Sequence, residues 1–220
     1  MNSQAKRPYR SPLRAAAAEA TRRRILDAAR RLFAERGFGG TTLDAVAGEA
    51  GVAVQTIQQA FGGKKALLTA QVEAIVRIGG LKELRAVLDD PAASPAQMTR
   101  AAARFWRKLF EGAGDVLEAA RSSGDPELRS LLEGGLRRHK AGVTGMTARW
   151  GREGVLAPGM TPERAAAIVA SISGPDVYHT LKRDWDWSPR RYEAWVIEAI
   201  QRLVLDPSVW EPAGRPPGGP

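Results

Sequence analysis

The 220-residue sequence contains no cysteine. That excludes disulfides, thiolate nucleophiles and zinc sites built on sulfur. Its two histidines, His139 and His179, lack metal-ligand spacing. Each reads as a packing or polar contact, and neither a metal nor a cofactor is expected. No paired-carboxylate motif stands on an apolar face, so no catalytic residue is assigned and an enzyme is not expected. No apolar run approaches the ~18 residues of a membrane span. Residues Met1 to Arg14 are polar and basic and lack an apolar h-region, so no secretory signal, no membrane partner and a cytoplasmic location are expected. Alternating strand patterns are also missing. Where apolar residues recur, their spacing is three and four, and the expected class is all-α.

What is present is a basic chain with an uneven charge. The net charge is +9. Residues 1–70 hold 12 Lys/Arg against 5 Asp/Glu, a net of +7, and residues 71–220 hold 21 against 19, a net of +2. A basic end on a near-neutral body suits a polyanion partner for that end; a solubilising tail is the alternative.

Helix starts repeat one form of punctuation, a short polar residue followed by proline: Ser11-Pro12, Ser94-Pro95, Asp125-Pro126, Thr161-Pro162 and Ser188-Pro189. The polar side chain accepts from the free N–H groups of a first turn, and proline has no N–H to leave unpaired there. A first helix ends near Arg36, where Gly37 stops it; it starts either at Thr21 or upstream at Ser11-Pro12. Thr41 or Thr42 caps a short helix that turns inward Leu43, Val46, Ala47 and Ala50. Gly51 turns the chain into a second short helix over about Val54 to Phe61, and Gly62-Gly63 precedes a long helix from near Lys64 to Gly79-Gly80. Further helices are expected at about 95–111, 114–123, 126–153, 162–173, 175–184 and 189–205. The chain is divided into a basic arm at 1–20, disordered or extending helix 1; a helix-turn-helix domain at 21–66; a helical body at 67–205; and a Pro/Gly-rich tail at 206–220, read as disordered.

Two short helices about a glycine turn, the second presented outward, make a helix-turn-helix. A B-DNA major groove admits one helix, whose side chains meet the base edges. Ile57 at i and Phe61 at i+4 aim inward, leaving Val54, Gln55, Thr56, Gln58, Gln59 and Ala60 on or near the outer side. Glutamine can pair bidentately with adenine, and Val54 or Ala60 can touch a thymine methyl. Spacing alone allows an ordinary helical hairpin equally well.

The stretch Thr21 to Ala70 resembles the DNA-binding domain of the TetR family of bacterial repressors. The resemblance lies in ILDAARRLFAERGF from Ile25, the Thr41-Thr42 pair, the Ala50-Gly51-Val52 turn, the Thr56-Ile57 pair, Phe61, and Lys64-x-Ala66-Leu67-Leu68. It implies phosphate contacts for Thr42, Thr56 and Lys64, and base-facing roles for Val54, Gln55 and Gln59. Two positions depart from the pattern: Gln58 stands where a phosphate-binding tyrosine is usual, and Ala53 where a serine often caps the recognition helix. Phosphate anchoring would then be either weaker or shifted to the basic arm, which holds Lys6, Arg7, Arg10 and Arg14, with Arg22, Arg23 and Arg24 close behind. The arm enters a minor groove on one reading and makes non-specific phosphate contacts on the other.

For the body, the resemblance implies dimerisation through the last two major helices, 162–184 and 189–205, and a cavity for a small effector. The final helix carries a broad stripe of Tyr192, Trp195, Val196, Ala199, Ile200 and Leu203, buried either in its own core or against a second copy. The interface candidates are Ile168, Ile172, Tyr192, Trp195, Val196 and Ile200. The effector-pocket candidates are Phe105, Trp106, Leu109, Phe110, Met146, Trp150 and Tyr178, with plain core packing as the alternative. The function implied is a repressor that binds a palindromic operator in double-stranded DNA as a homodimer and is released by a small molecule. The alternative is a regulator of the same fold without an effector.

Overall fold

Four of the proline-marked starts open helices as their chemistry requires. The computed structural model describes residues 12–210. Within it, Ser94, Thr161 and Ser188 each accept a hydrogen bond from the backbone N–H three residues on, at 3.2 Å. Asp125 does the same for Leu128. Ser94 and Gln97 bond reciprocally, which satisfies two of the first turn's orphan donors. Ser11, Lys6, Arg7, Arg10 and residues 211–220 lie outside the described residues.

The chain divides into two units, residues 1–71 and 72–220. The first holds α1 (Pro12–Gly40), α2 (Leu43–Ala50), α3 (Val54–Phe61) and the first half of α4 (Lys64–Ile78). Among the described residues α1 begins at Pro12. Gly37 interrupts α1, with φ 67° and ψ 173°. Ile25, Ala28, Ala29, Leu32 and Phe33 of α1 are buried, along with Val46, Ala47 and Ala50 of α2, Ile57 of α3, and Leu67 and Leu68 of α4.

The second unit holds α5 (Leu81–Asp89), α6 (Pro95–Ser122), α7 (Pro126–Arg152), α8 (Pro162–Ile172), α9 (Pro175–Asp184) and α10 (Pro189–Val204). One core joins α5, α6, α7, α8, α9 and α10 through Leu84, Met98, Trp106, Phe110, Met146, Trp150, Val169, Tyr178, Tyr192, Val196 and Ile200. Among the described residues, the isolated antiparallel bridge Leu156–Leu205 is the sole β pairing. No described helix is long and apolar enough to cross a membrane.

Three expectations differ from the structure. The helix α5 was not anticipated, because it lacks the polar-proline signal: Gly80 caps it with φ 89° and no side-chain bond. Its Leu81, Leu84 and Leu88 spacing was the available clue. Helix α6 runs unbroken through Gly112 and Gly114, where two helices were expected. A Cβ at Gly112 would meet Ile75 at 3.3 Å, and one at Gly114 would meet His179 at 3.3 Å. These glycines serve close packing, which outweighs their helix cost of ~1 kcal/mol. Finally, the segment read as tail is ordered at its start. Asp206 caps a 3-10 turn at Pro207–Val209, its N–H reaches Val155 O at 2.9 Å, and the Trp210 indole donates to Leu205 O at 3.1 Å.

One side chain fixes the path from α5 to α6. The Arg149 guanidinium on α7 donates to four backbone carbonyls, Leu88 at 3.2 Å, Asp90 at 2.8 Å, Pro91 at 3.0 Å and Ala93 at 3.0 Å. Its Nε donates to Glu153 at 2.6 Å. All five guanidinium N–H groups are thereby used. Lysine has three donors and no planar fork. Arg149→Lys is therefore expected to cost about 2–4 kcal/mol in urea unfolding, because at least two of the five acceptors lose their donor. A loss no larger than that of an exposed Arg→Lys change would contradict the clamp.

Candidate DNA-reading surface and an apolar cavity

In the first unit, local chemistry orients α3. Thr42 caps α2 by accepting from Ala45 N–H at 3.1 Å. Thr41 is buried instead, with its hydroxyl directed to Leu32 O at 3.0 Å and Gly37 O at 2.8 Å. Gly51 ends α2 with φ 63°, the left-handed conformation that costs a glycine least. The Val52 N–H then bonds back to Ala47 O at 3.0 Å. Ala53 opens α3 without a side-chain cap.

Ile57 is fully buried and anchors α3. Gln55, Gln58, Gln59 and Ala60 are exposed, and Val54, Thr56 and Phe61 are half-buried. The outer face of α3 therefore carries amides and no charge. Thr42 is exposed beside it at the start of α2.

Two cations read from the sequence as DNA contacts, Lys64 by resemblance and Arg22 by its place behind the basic arm, have partners within the unit. Lys64 is half-buried, and its ammonium donates to Phe38 O at 2.8 Å and Thr41 O at 2.9 Å. It also stands 4.3 Å from the centre of the Phe38 ring. Lys64 thus ties the start of α4 to the corner between α1 and α2, with one of its three N–H groups left over. Arg22 lies 4.2 Å over the Phe61 ring and donates to Ala60 O at 3.0 Å, which closes the C-terminal end of α3. Arg14, Arg23 and Arg24 are exposed on α1.

The second unit holds a partly open cavity of about 570 Å³, in the range of small-molecule sites. Its wall is drawn from α4, α5, α6, α7 and the start of α9. Of the sequence candidates, Phe105, Trp106, Leu109, Phe110 and Met146 line it. Trp150 and Tyr178 do not. Trp150 is wholly buried in the core, and Tyr178 packs edge-on against Tyr192 with centroids 5.0 Å apart. Sequence reasoning missed Ile75, Leu84, Leu88 and His139, which also line the cavity. The first three could have been found from the apolar spacing along α4 and α5.

His139 is the polar group set into this wall. Ser173 Oγ donates to Val169 O at 2.6 Å and lies 3.2 Å from His139 Nε2. The ring also meets Trp106 edge-on at 5.4 Å. Burial pushes its pKa below 6.5, opposed by a backbone hydrogen bond with Ala170.

Residues 25–70 match the family profile described as bacterial regulatory proteins, tetR family. The N-terminal unit is a TetR-family DNA-binding domain. Among curated protein sequences no relative is found. Among solved structures, SmeT of Stenotrophomonas maltophilia in complex with triclosan is 22% identical, with a TM-score of 0.75 over 91% of this chain and 99% of that one. NalD of Pseudomonas aeruginosa, a repressor of the MexAB-OprM efflux pump, is 22% identical, with a TM-score of 0.67 over 87% of this chain and 99% of that one. A Saccharomonospora viridis protein solved with choline is 19% identical, with a TM-score of 0.67 over 86% and 99%. The whole chain thus has the fold of these TetR-type regulators.

For a TetR-type dimer, the interface candidates separate clearly. Tyr192, Val196 and Ile200 are buried in the chain's own core, each at 1% exposure or less, so they are unavailable to a second copy. The stripe on α10 is broad because α6, α8 and α9 all pack on it. Ile168, Ile172 and Trp195 are half-buried, and Leu203 is 51% exposed.

The burial of His139 has a pH consequence. Its folded-state pKa is lowered, so below about pH 6.5 the unfolded chain takes up a proton that the folded chain resists. The stabilising contribution is full above that pH and lost as pH falls through it. Between about pH 7.5 and about pH 5.5, the urea midpoint of the wild type should fall further than that of His139→Gln. Parallel pH profiles for the two proteins would contradict a buried neutral ring.

Proposed function

We propose that this TetR-type regulator is a cytoplasmic repressor that binds a palindromic operator as a homodimer and is released by a small molecule. The observation that carries the DNA part is the outer face of α3: buried Ile57 fixes the helix while Gln55 and Gln59 stand free. Gln55, Gln59 and Val54 read base edges, with adenine and thymine-methyl contacts the ones their chemistry favours. Thr42 and Thr56 hold phosphates, and Gln58 takes a weaker polar contact in the same row. Lys64 contributes the N–H that its two carbonyl partners leave over. Arg14, Arg23 and Arg24 add backbone contacts that carry no sequence information.

The effector reading rests on the cavity, a mostly apolar space with the few polar groups that would orient a ligand. A bound molecule releases DNA only to the extent that it prefers the state with the wrong spacing of recognition helices. Dimerisation through α8, α9 and α10 uses Ile168, Ile172, Trp195 and Leu203, and sets the two α3 helices about one DNA turn, ~34 Å, apart.

Selection from a random DNA pool should enrich a palindrome with half-sites one turn apart. Failure to enrich any sequence would remove the operator from this reading. Gln55→Ala or Gln59→Ala should relax preference at one position per half-site, at about 1–3 kcal/mol per lost bidentate pair. Lys64→Ala should weaken all sequences alike and reduce the slope of log K against log salt by about one per half-site. It should also lower the stability of the first unit, since Phe38 O and Thr41 O lose their donor. Equal loss of base preference in all three variants would deny the glutamines a reading role.

A further inference from the structure

The cavity of the second unit has an apolar wall and a cationic margin. Arg85 on α5, Arg121 on α6, and Arg129 and Arg138 on α7 all border it, and all four are exposed. The acids on the same border, among the described residues, are Glu133 and Asp176. Both already face cations: Glu133 lies 3.8 Å from Arg137, and Asp176 lies 3.3 Å from Arg121. The guanidinium groups of Arg85, Arg129 and Arg138 have no ion-pair or hydrogen-bond partner among the described residues. Three uncommitted guanidinium groups from two helices therefore stand around one apolar opening.

Such a margin discriminates by charge. Cations of one sign around a low-dielectric cavity focus a positive potential at its mouth. A guanidinium fork matches an oxyanion pair with two parallel N–H donors. A neutral ligand would gain less from these groups than an anion, and a cationic one would be repelled. The wall behind them, with Leu84, Trp106 and Phe110, offers no charged partner to an ionic head and suits a hydrocarbon or aromatic body.

We propose that this cavity takes an amphipathic organic anion, its apolar body against Trp106 and Phe110 and its anionic head within the margin that carries Arg85, Arg129 and Arg138. An organic carboxylate is the simplest such ligand. The proposal rests on the effector reading of the same cavity and specifies its chemistry.

The test is calorimetric titration of the full-length protein with three ten-carbon probes: decanoate, 1-decanol and decyltrimethylammonium. Decanoate should bind about tenfold more tightly than decanol, and the ammonium more weakly than either. Added salt should narrow the gap between decanoate and decanol. The double variant Arg129→Gln/Arg138→Gln should bring decanoate to the level of decanol and leave decanol unchanged. The proposal is overturned if decanol or the ammonium binds as tightly as decanoate, if the double variant keeps the gap, or if no probe binds. DNA binding followed in parallel separates this from the effector reading. Decanoate that binds without releasing DNA supports the anion site and counts against the effector role. Decanol that binds equally and releases DNA does the reverse.

Discussion

Backbone carbonyls at helix ends have no intrahelical partner, and an unpaired one away from water is costly. In a chain built from short helices this constraint recurs at every corner. Here it is met at several corners by long side chains reaching in from another helix. Lys64 serves the corner between α1 and α2, Arg22 closes α3, and Arg149 serves the turn from α5 to α6. These cations are engaged by the chain itself before any partner arrives. Positive charge in the sequence therefore overstates what is available to DNA, and Arg22 and Lys64 are the clearest cases.

The same constraint explains what remains outward. Once Lys64 and Arg22 are engaged, α3 faces out with amides, one exposed alanine and half-buried Val54 and Thr56. An uncharged reading face separates two tasks that arginine-rich helices merge. Hydrogen-bonding side chains discriminate between base edges, and cations elsewhere supply salt-sensitive attraction. In the second unit the division runs the other way. The cavity wall is apolar and its free cations stand at the margin.

Much of this architecture was legible in the sequence, for local reasons. Ser94-Pro95, Thr161-Pro162 and Ser188-Pro189 carry their cap chemistry within four residues, and Gly51 and Gly62 mark left-handed turns that tolerate few other residues. Apart from α5, whose leucine spacing was a local clue, the main misses were non-local. Whether Gly112 breaks a helix depends on Ile75, far away in the chain. Whether Tyr192 faces a second copy or its own core depends on Tyr178 and on the helices packed over α10. Trp150 and Trp106 share one helical core, yet only Trp106 reaches the cavity. Periodicity identifies a buried face without identifying what lies across from it.

The clamp at Arg149 has a consequence for how such a chain can change. Four of its five bonds end on backbone carbonyls, at Leu88, Asp90, Pro91 and Ala93. A carbonyl is supplied by any residue, so the clamp holds the route of the loop and is indifferent to its side chains. Substitutions at those four positions leave all its acceptors in place. Leu88 lies on the cavity wall, so that wall can acquire a new shape by mutation while the scaffold behind it stays pinned.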